Sequence, residues 1–218
     1  SLVDYNRAGV PLMEIVTDAS IRSADEAFAY VQKIRQLVRY LGASTGDMEK
    51  GAMRCEANIS VRPEGSQEFG TKVEVKNLNS FRAVRGAIDY EVRRQIEVIE
   101  EGGAVRQVTM GWDEGAASTK EQRSKEYSDD YRYFPEPDLL DVDVTAEWID
   151  GVREQLSELP DERAARFVES FQLGADDAAL ITDDRAVADW FEQVVAAGAD
   201  GRTAANWTIG EVFRRLKE

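Results

Sequence analysis

Polar and apolar side chains alternate most cleanly in "RCEANISV", residues 54–61. Cys55, Ala57, Ile59 and Val61 fall on one side, and Arg54, Glu56, Asn58 and Ser60 on the other. A period of two is the mark of a strand, whose successive side chains point to opposite faces. "TKVEVKNL" (71–78) repeats the pattern, with Val73 and Val75 on one side and Lys72, Glu74 and Lys76 on the other. The turn-rich "PEGSQEFG" (63–70) joins the two into a predicted hairpin. "GVPLMEIVTD" (9–18), an apolar run with β-branched residues around Glu14, predicts a further strand. "RQVTMGWDE" (106–114) and the polar stretch to about Arg123 predict two short ones.

Helical spacing fills the gaps. Ala27, Val31, Ile34, Val38 and Leu41 recur at three and four residues. Ser23 and Glu26 suit the two positions of a capping box, and Gly42 suits the stop. A second helix is predicted after Asn79 or Ser80, with Phe81, Val84, Ile88, Val92, Ile96 and Ile99 as its apolar stripe and Gly102-Gly103 at its end. The order is β-α-β-β-α and then further strands. That is an α+β chain with a mainly antiparallel sheet backed by helices. After about residue 140 only helical patterns remain. Pro160 suits a first turn. Val187, Trp190, Phe191, Val194 and Val195 form one stripe, and Ala205, Ile209, Val212, Phe213 and Leu216 another. Two domains are expected, 1–145 and 146–218.

Composition narrows the chemistry. Among 218 residues there is no histidine and one cysteine, which removes Ser-His-Asp catalysis, histidine-ligated metal and a disulfide framework within this sequence. Cys55 falls on the apolar side of its strand and reads as a small buried hydrophobe. No apolar run approaches membrane-spanning length and no signal peptide opens the sequence, so a cytoplasmic protein with no membrane partner is expected. The start at Ser1 reads like the middle of a longer protein. The net charge is −15, but residues 138–218 carry 19 acids and 8 bases while residues 1–137 carry 23 and 19. Phosphates would be repelled by the acidic part, so any nucleic-acid contact belongs to the first part.

The polar side of the predicted hairpin carries the candidate chemistry. If both apolar sides face the helices, Arg54, Glu56, Asn58, Ser60 and Arg62 lie beside Lys72, Glu74 and Lys76. Carboxylates, amides and cations then alternate across two strands. Such a face suits a magnesium ion, which takes one or two carboxylates together with phosphate oxygens, and cations that neutralise the phosphates. The same pattern also describes a solvated face with cross-strand ion pairs. "DDYRYFPEPD" (129–138), with three aromatics and two prolines, is more rigid and more polar than a turn requires.

Four blocks carry a resemblance: "YNRAGVPLMEIV", "RCEANISVRP", "FGTKVEVKNLNSF" and "DDYRYFPEPDL", in that order between residues 5 and 139. They resemble the signatures of the GatB/GatE family, the B subunit of the tRNA-dependent amidotransferase. The resemblance implies an enzyme component that uses ATP and Mg2+ to phosphorylate the side-chain carboxylate of Glu-tRNA(Gln) or Asp-tRNA(Asn). Ammonia then comes from the A subunit, an amidase, and the small C subunit bridges the two. It implies a catalytic cradle similar to glutamine synthetase and guanido kinases, of which this chain would hold the second half, followed by a helical domain. The missing half would make the chain inactive alone. Glu74 is the implied first metal ligand and catalytic carboxylate, and Glu56 the second, at a position where the family more often has aspartate. Lys76, Arg54 and Arg132 are implied contacts to phosphate or carboxylate, Asn58 and Asn79 orienting groups, and Lys125 a closing residue. The competing class is a non-catalytic acidic helical adaptor with a structural antiparallel sheet. Carboxylates converging in a concave pocket would favour the enzyme, and a flat exposed face the adaptor.

Overall fold

The computed structural model describes Tyr5 and residues 9–124 and 137–218. The first helix, α1 (Ala24–Tyr40), starts at Ser23, whose hydroxyl accepts the Glu26 backbone N–H. Only half of the expected capping box forms. The Glu26 carboxylate accepts the N–H of Arg22 at 2.6 Å. Gly42, at φ +68°, takes the left-handed turn that closes the helix. The hairpin follows as β1 (Cys55–Ile59) and β2 (Val73–Leu78). Ser80, not Asn79, caps α2 (Phe81–Glu100) by accepting the Ala83 N–H. β3 (Val108–Asp113) and β4 (Ser118–Ser124) form a second hairpin.

The four strands lie in chain order in one sheet. β1–β2 and β3–β4 are antiparallel, while β2–β3 is parallel. The pairings are mainly antiparallel, as expected, and the one parallel joint makes the sheet mixed. The cause is α2, which carries the chain back across the sheet so that β3 starts from the same end as β2. Ile59, Val73, Val75, Leu78, Val108 and Met110 face Ala27, Val31, Val84 and Ala87 in one buried cluster. The opposite face of the sheet is thereby left polar.

Two further expectations fail. Residues 9–18 pair with no strand among the described residues, and Val10, Leu12, Met13 and Val16 are largely exposed. The stripe expected on α2 also drifts, because Ile96 and Ile99 are exposed while Glu91 and Gln95 are completely buried. From Ala146 onward the described elements are all helices. They are α3 (Ala146–Gln155), α4 (Pro160–Phe171), α5 (Ala175–Ile181), α6 (Arg185–Ala196), α7 (Gly201–Trp207), a π-helical turn (Thr208–Val212) and α8 (Phe213–Leu216). Phe167, Ile181, Ala188, Phe191 and Ala205 centre a second buried cluster. Three aromatic rings, Phe167, Phe171 and Phe191, meet there with centroids 5.0–5.4 Å apart.

The two clusters meet along polar contacts. Lys33 of α1 pairs with Asp161 at 2.5 Å, and Arg39 with Asp184 at 3.3 Å. Arg163, almost fully buried, donates to the Tyr40 hydroxyl at 3.0 Å and also pairs with Asp189 and Glu192.

Candidate functional site on the polar sheet face

Pairing register decides which side chains share the face. Asn58 stands opposite Glu74, and Glu74 opposite Thr109. Glu56, Glu74 and Lys76 come together. The Lys76 ammonium lies 3.1 Å from Glu56 and 3.7 Å from Glu74. Glu74 is the more enclosed carboxylate, its side chain 14% exposed against 47% for Glu56. Its other oxygen accepts a hydrogen bond from Thr109 Oγ1 at 2.9 Å. Thr109 is buried, so this hydroxyl fixes the carboxylate from below. Two oxygens held by two different strands give Glu74 one orientation, as a ligand or electrostatic group needs.

The remaining candidates spread out. Arg54, immediately before β1, and Asn58 are exposed on the same side as Glu56. Asn79 is exposed in the β2–α2 connection. Lys125 and Arg132, with most of the "DDYRYFPEPDL" segment, lie outside the described residues. Cys55 lies on the helix-facing side, and burial together with the nearby Glu56 charge pushes its thiol up to about 11. It is a neutral packing residue at ordinary pH.

Thr109 escaped the sequence reading because a threonine in an apolar strand reads as β-propensity. The signal was present in the alternation of "VTMGW", where Val108, Met110 and Trp112 share one side and Thr109 the other. No group of three or more acidic or cysteine side chains able to hold a metal forms among the described residues. Two surface clefts lie off this face. One of about 290 Å³ sits between Arg39 and Asp184–Asp189, and one of about 320 Å³ between α2 and the β3–β4 hairpin beside Trp112. No helix among the described residues is long and apolar enough to cross a membrane.

Fold and face together define an α+β protein whose sheet presents a fixed carboxylate, a second carboxylate and a lysine on the side away from the apolar cluster. Residues 1–150 match the model of the GatB/GatE catalytic domain. The whole chain is 54% identical to the aspartyl/glutamyl-tRNA(Asn/Gln) amidotransferase B subunit of Roseiflexus sp. (strain RS-1), covering 46% of that protein. It is 50% identical to the B subunit of Prosthecochloris aestuarii (strain DSM 271 / SK 413), covering 45% of it. Over 99% of its length it is 53% identical to that of Moorella thermoacetica (strain ATCC 39073 / JCM 9320), again covering 45%. The chain belongs to the GatB/GatE family, and it spans just under half the length of these relatives.

Proposed function

We infer that this chain is part of the B subunit of a tRNA-dependent amidotransferase. In the whole protein, ATP phosphorylates the side-chain carboxylate of Glu-tRNA(Gln) or Asp-tRNA(Asn), and ammonia then displaces the phosphate. The observation that carries this reading is the Glu74 carboxylate, held between Thr109 and Lys76 with Glu56 alongside. In chemical terms a carboxylate oxygen attacks the γ-phosphorus and ADP leaves. Ammonia then attacks the acyl phosphate, giving an amide and inorganic phosphate. Both reactants of the first step are anions, so the site must align them and offset their charge.

The donor set fits magnesium, which accepts one or two carboxylates and completes its shell with water and phosphate oxygens. Glu74 and Glu56 would hold it, and bound there it would neutralise the phosphate charge. Lys76, paired with both carboxylates, would contact the transferred phosphoryl group. Arg54 and Asn58 extend the same polar strand, and Asn79, Lys125 and Arg132 complete the proposed set. The amidase (A) and the small bridging (C) subunits are the proposed partners, and the cytoplasm the proposed compartment. Residues 1–145 would form the second half of the cradle and 146–218 a helical docking unit, with the chain inactive by itself.

Glu74→Gln in the full-length complex keeps the shape and removes the charge. It should lower ATP-dependent transamidation by about 10²–10³, the usual cost of losing one transition-state contact. Transamidation near the native rate, in a variant with a native circular dichroism spectrum, would refute the assignment.

A further inference from the structure

Two irregularities meet on the polar face. Along β2, Ala57 pairs with Val75 but Cys55 with Leu78, so β2 carries one residue more than its partner. Asn77, at φ +64°, absorbs it and lets Leu78 return to the core. Along β4, Thr109 pairs with Arg123 but Met110 with Glu121, so Gln122 is the additional residue there. Bulges re-aim side chains and are enriched beside functional sites. A left-handed backbone at an asparagine is itself strained.

Both irregularities point at Gly111, which stands opposite Lys76 on β2. A Cβ on Gly111 would collide with the Gln122 carboxamide and would lie 3.3 Å from Asn77 Nδ2. A missing side chain on β3 therefore makes room for two amides, one from each neighbouring strand. Neither carboxamide makes a hydrogen bond to another described residue. Each amide can donate twice. Together with the Lys76 ammonium they concentrate donors at one spot, two residues or about 7 Å along the strand from the Glu74–Thr109 pair. Asn, Gln and Lys donors are a common set for phosphate oxygens. A spot so close to the proposed transfer site is within reach of a triphosphate chain.

We propose that Asn77 and Gln122 form a subsite for a phosphate oxygen of the nucleotide, with Gly111 kept bare to admit them. The proposal rests on the reading that this face handles ATP. Asn77→Gly separates the two roles of Asn77. Glycine adopts the left-handed turn freely, so the bulge survives while the amide is lost. Gln122→Ala removes the other amide, and Gly111→Ala should force it aside.

The test uses the full-length protein in its complex. It measures kcat and KM for ATP, equilibrium dialysis of ADP, and gel-shift binding of uncharged tRNA. Each variant should raise the ATP KM and the ADP Kd by about 10-fold, the worth of one hydrogen bond to a charged acceptor, while tRNA binding stays unchanged. Asn77→Gly and Gln122→Ala complexes with native ATP and ADP constants would overturn the subsite. So would variants that lose tRNA binding instead, since the amides would then serve RNA phosphates. A native complex that consumes no ATP would sink the functional reading itself, a result distinct from either.

Discussion

Glu91 has no exposed surface, yet it sits in the middle of a helix that packs on a sheet. A buried carboxylate survives only when its lone pairs are taken. Arg94 donates to it twice, at 2.9 and 2.6 Å, Gln95 at 2.9 Å and Thr119 of β4 at 3.2 Å. Gln95 then donates to the Ile59 carbonyl at 3.1 Å and accepts from the Val61 N–H at 3.2 Å. Two polar residues one turn apart on α2 thus reach both outer strands of the sheet. Glu91→Leu would leave Thr119 without its acceptor and free Arg94. It should cost about 1–3 kcal/mol, the penalty for stranding buried partners. Urea unfolding of the chain measures it, and an unchanged midpoint would show that the network contributes nothing net.

At the scale of elements, most of the sheet and its helices were legible from alternation and spacing. The failures have physical causes. Reading α2 by its apolar letters gives 84, 88, 92 and 96, steps of four residues. A helix with 3.6 residues per turn drifts about 40° at each such step, so the stripe walks off the buried face. The face that stays in register runs through Val84, Ala87, Glu91 and Gln95. Residues 9–18 have strand composition, but strand preference describes a fit to a neighbouring strand, which one segment cannot supply. Glu74 and Lys76 were readable as site candidates because they alternate with valines. The bulge at Asn77 was readable too, since the apolar positions 73, 75 and 78 break the alternation by one residue. Gln122 was not, because β4 has no apolar rhythm to break. The parallel joint was hidden because alternation does not report strand direction.

Across the whole molecule, charge gathers at the seam between the two clusters. Glu192 of α6 is bonded by Arg163 and, at 2.7 Å, by Arg166, which also grips Glu158. Burial works to raise the Glu192 carboxyl. The hydrogen bonds from Arg166 and Arg163 outweigh it and hold the group below the ordinary glutamate value of 4.5. A carboxyl lowered in the folded state stabilises fully above its ordinary value, and that contribution is lost as pH falls through the folded one. Glu192→Gln should therefore be less stable than the native chain at pH 7, and the gap should close below about pH 4.5. Urea melts of both proteins from pH 7 to pH 3 follow the gap; one that stays constant would show that the charge is not what matters.

The parallel contact between β2 and β3 also sets an order of events. Each hairpin closes a shorter loop than the β2–β3 joint, since Glu74 and Thr109 are brought together only after the chain has spanned α2. Closing a longer loop costs more entropy, and non-local strand pairing is the slow part of folding. The hairpins should form early and their joining along β2 and β3 should limit the rate. Val75, completely buried between Ala57 on β1 and Met110 on β3, takes part in that joining as well as in the first hairpin. Val75→Ala should slow the main refolding phase in stopped-flow measurements, while an unchanged refolding rate with faster unfolding would place the joining after the barrier. Until the joint closes, Glu74 has no Thr109 beside it, so the proposed site is completed late, after the local structure around it.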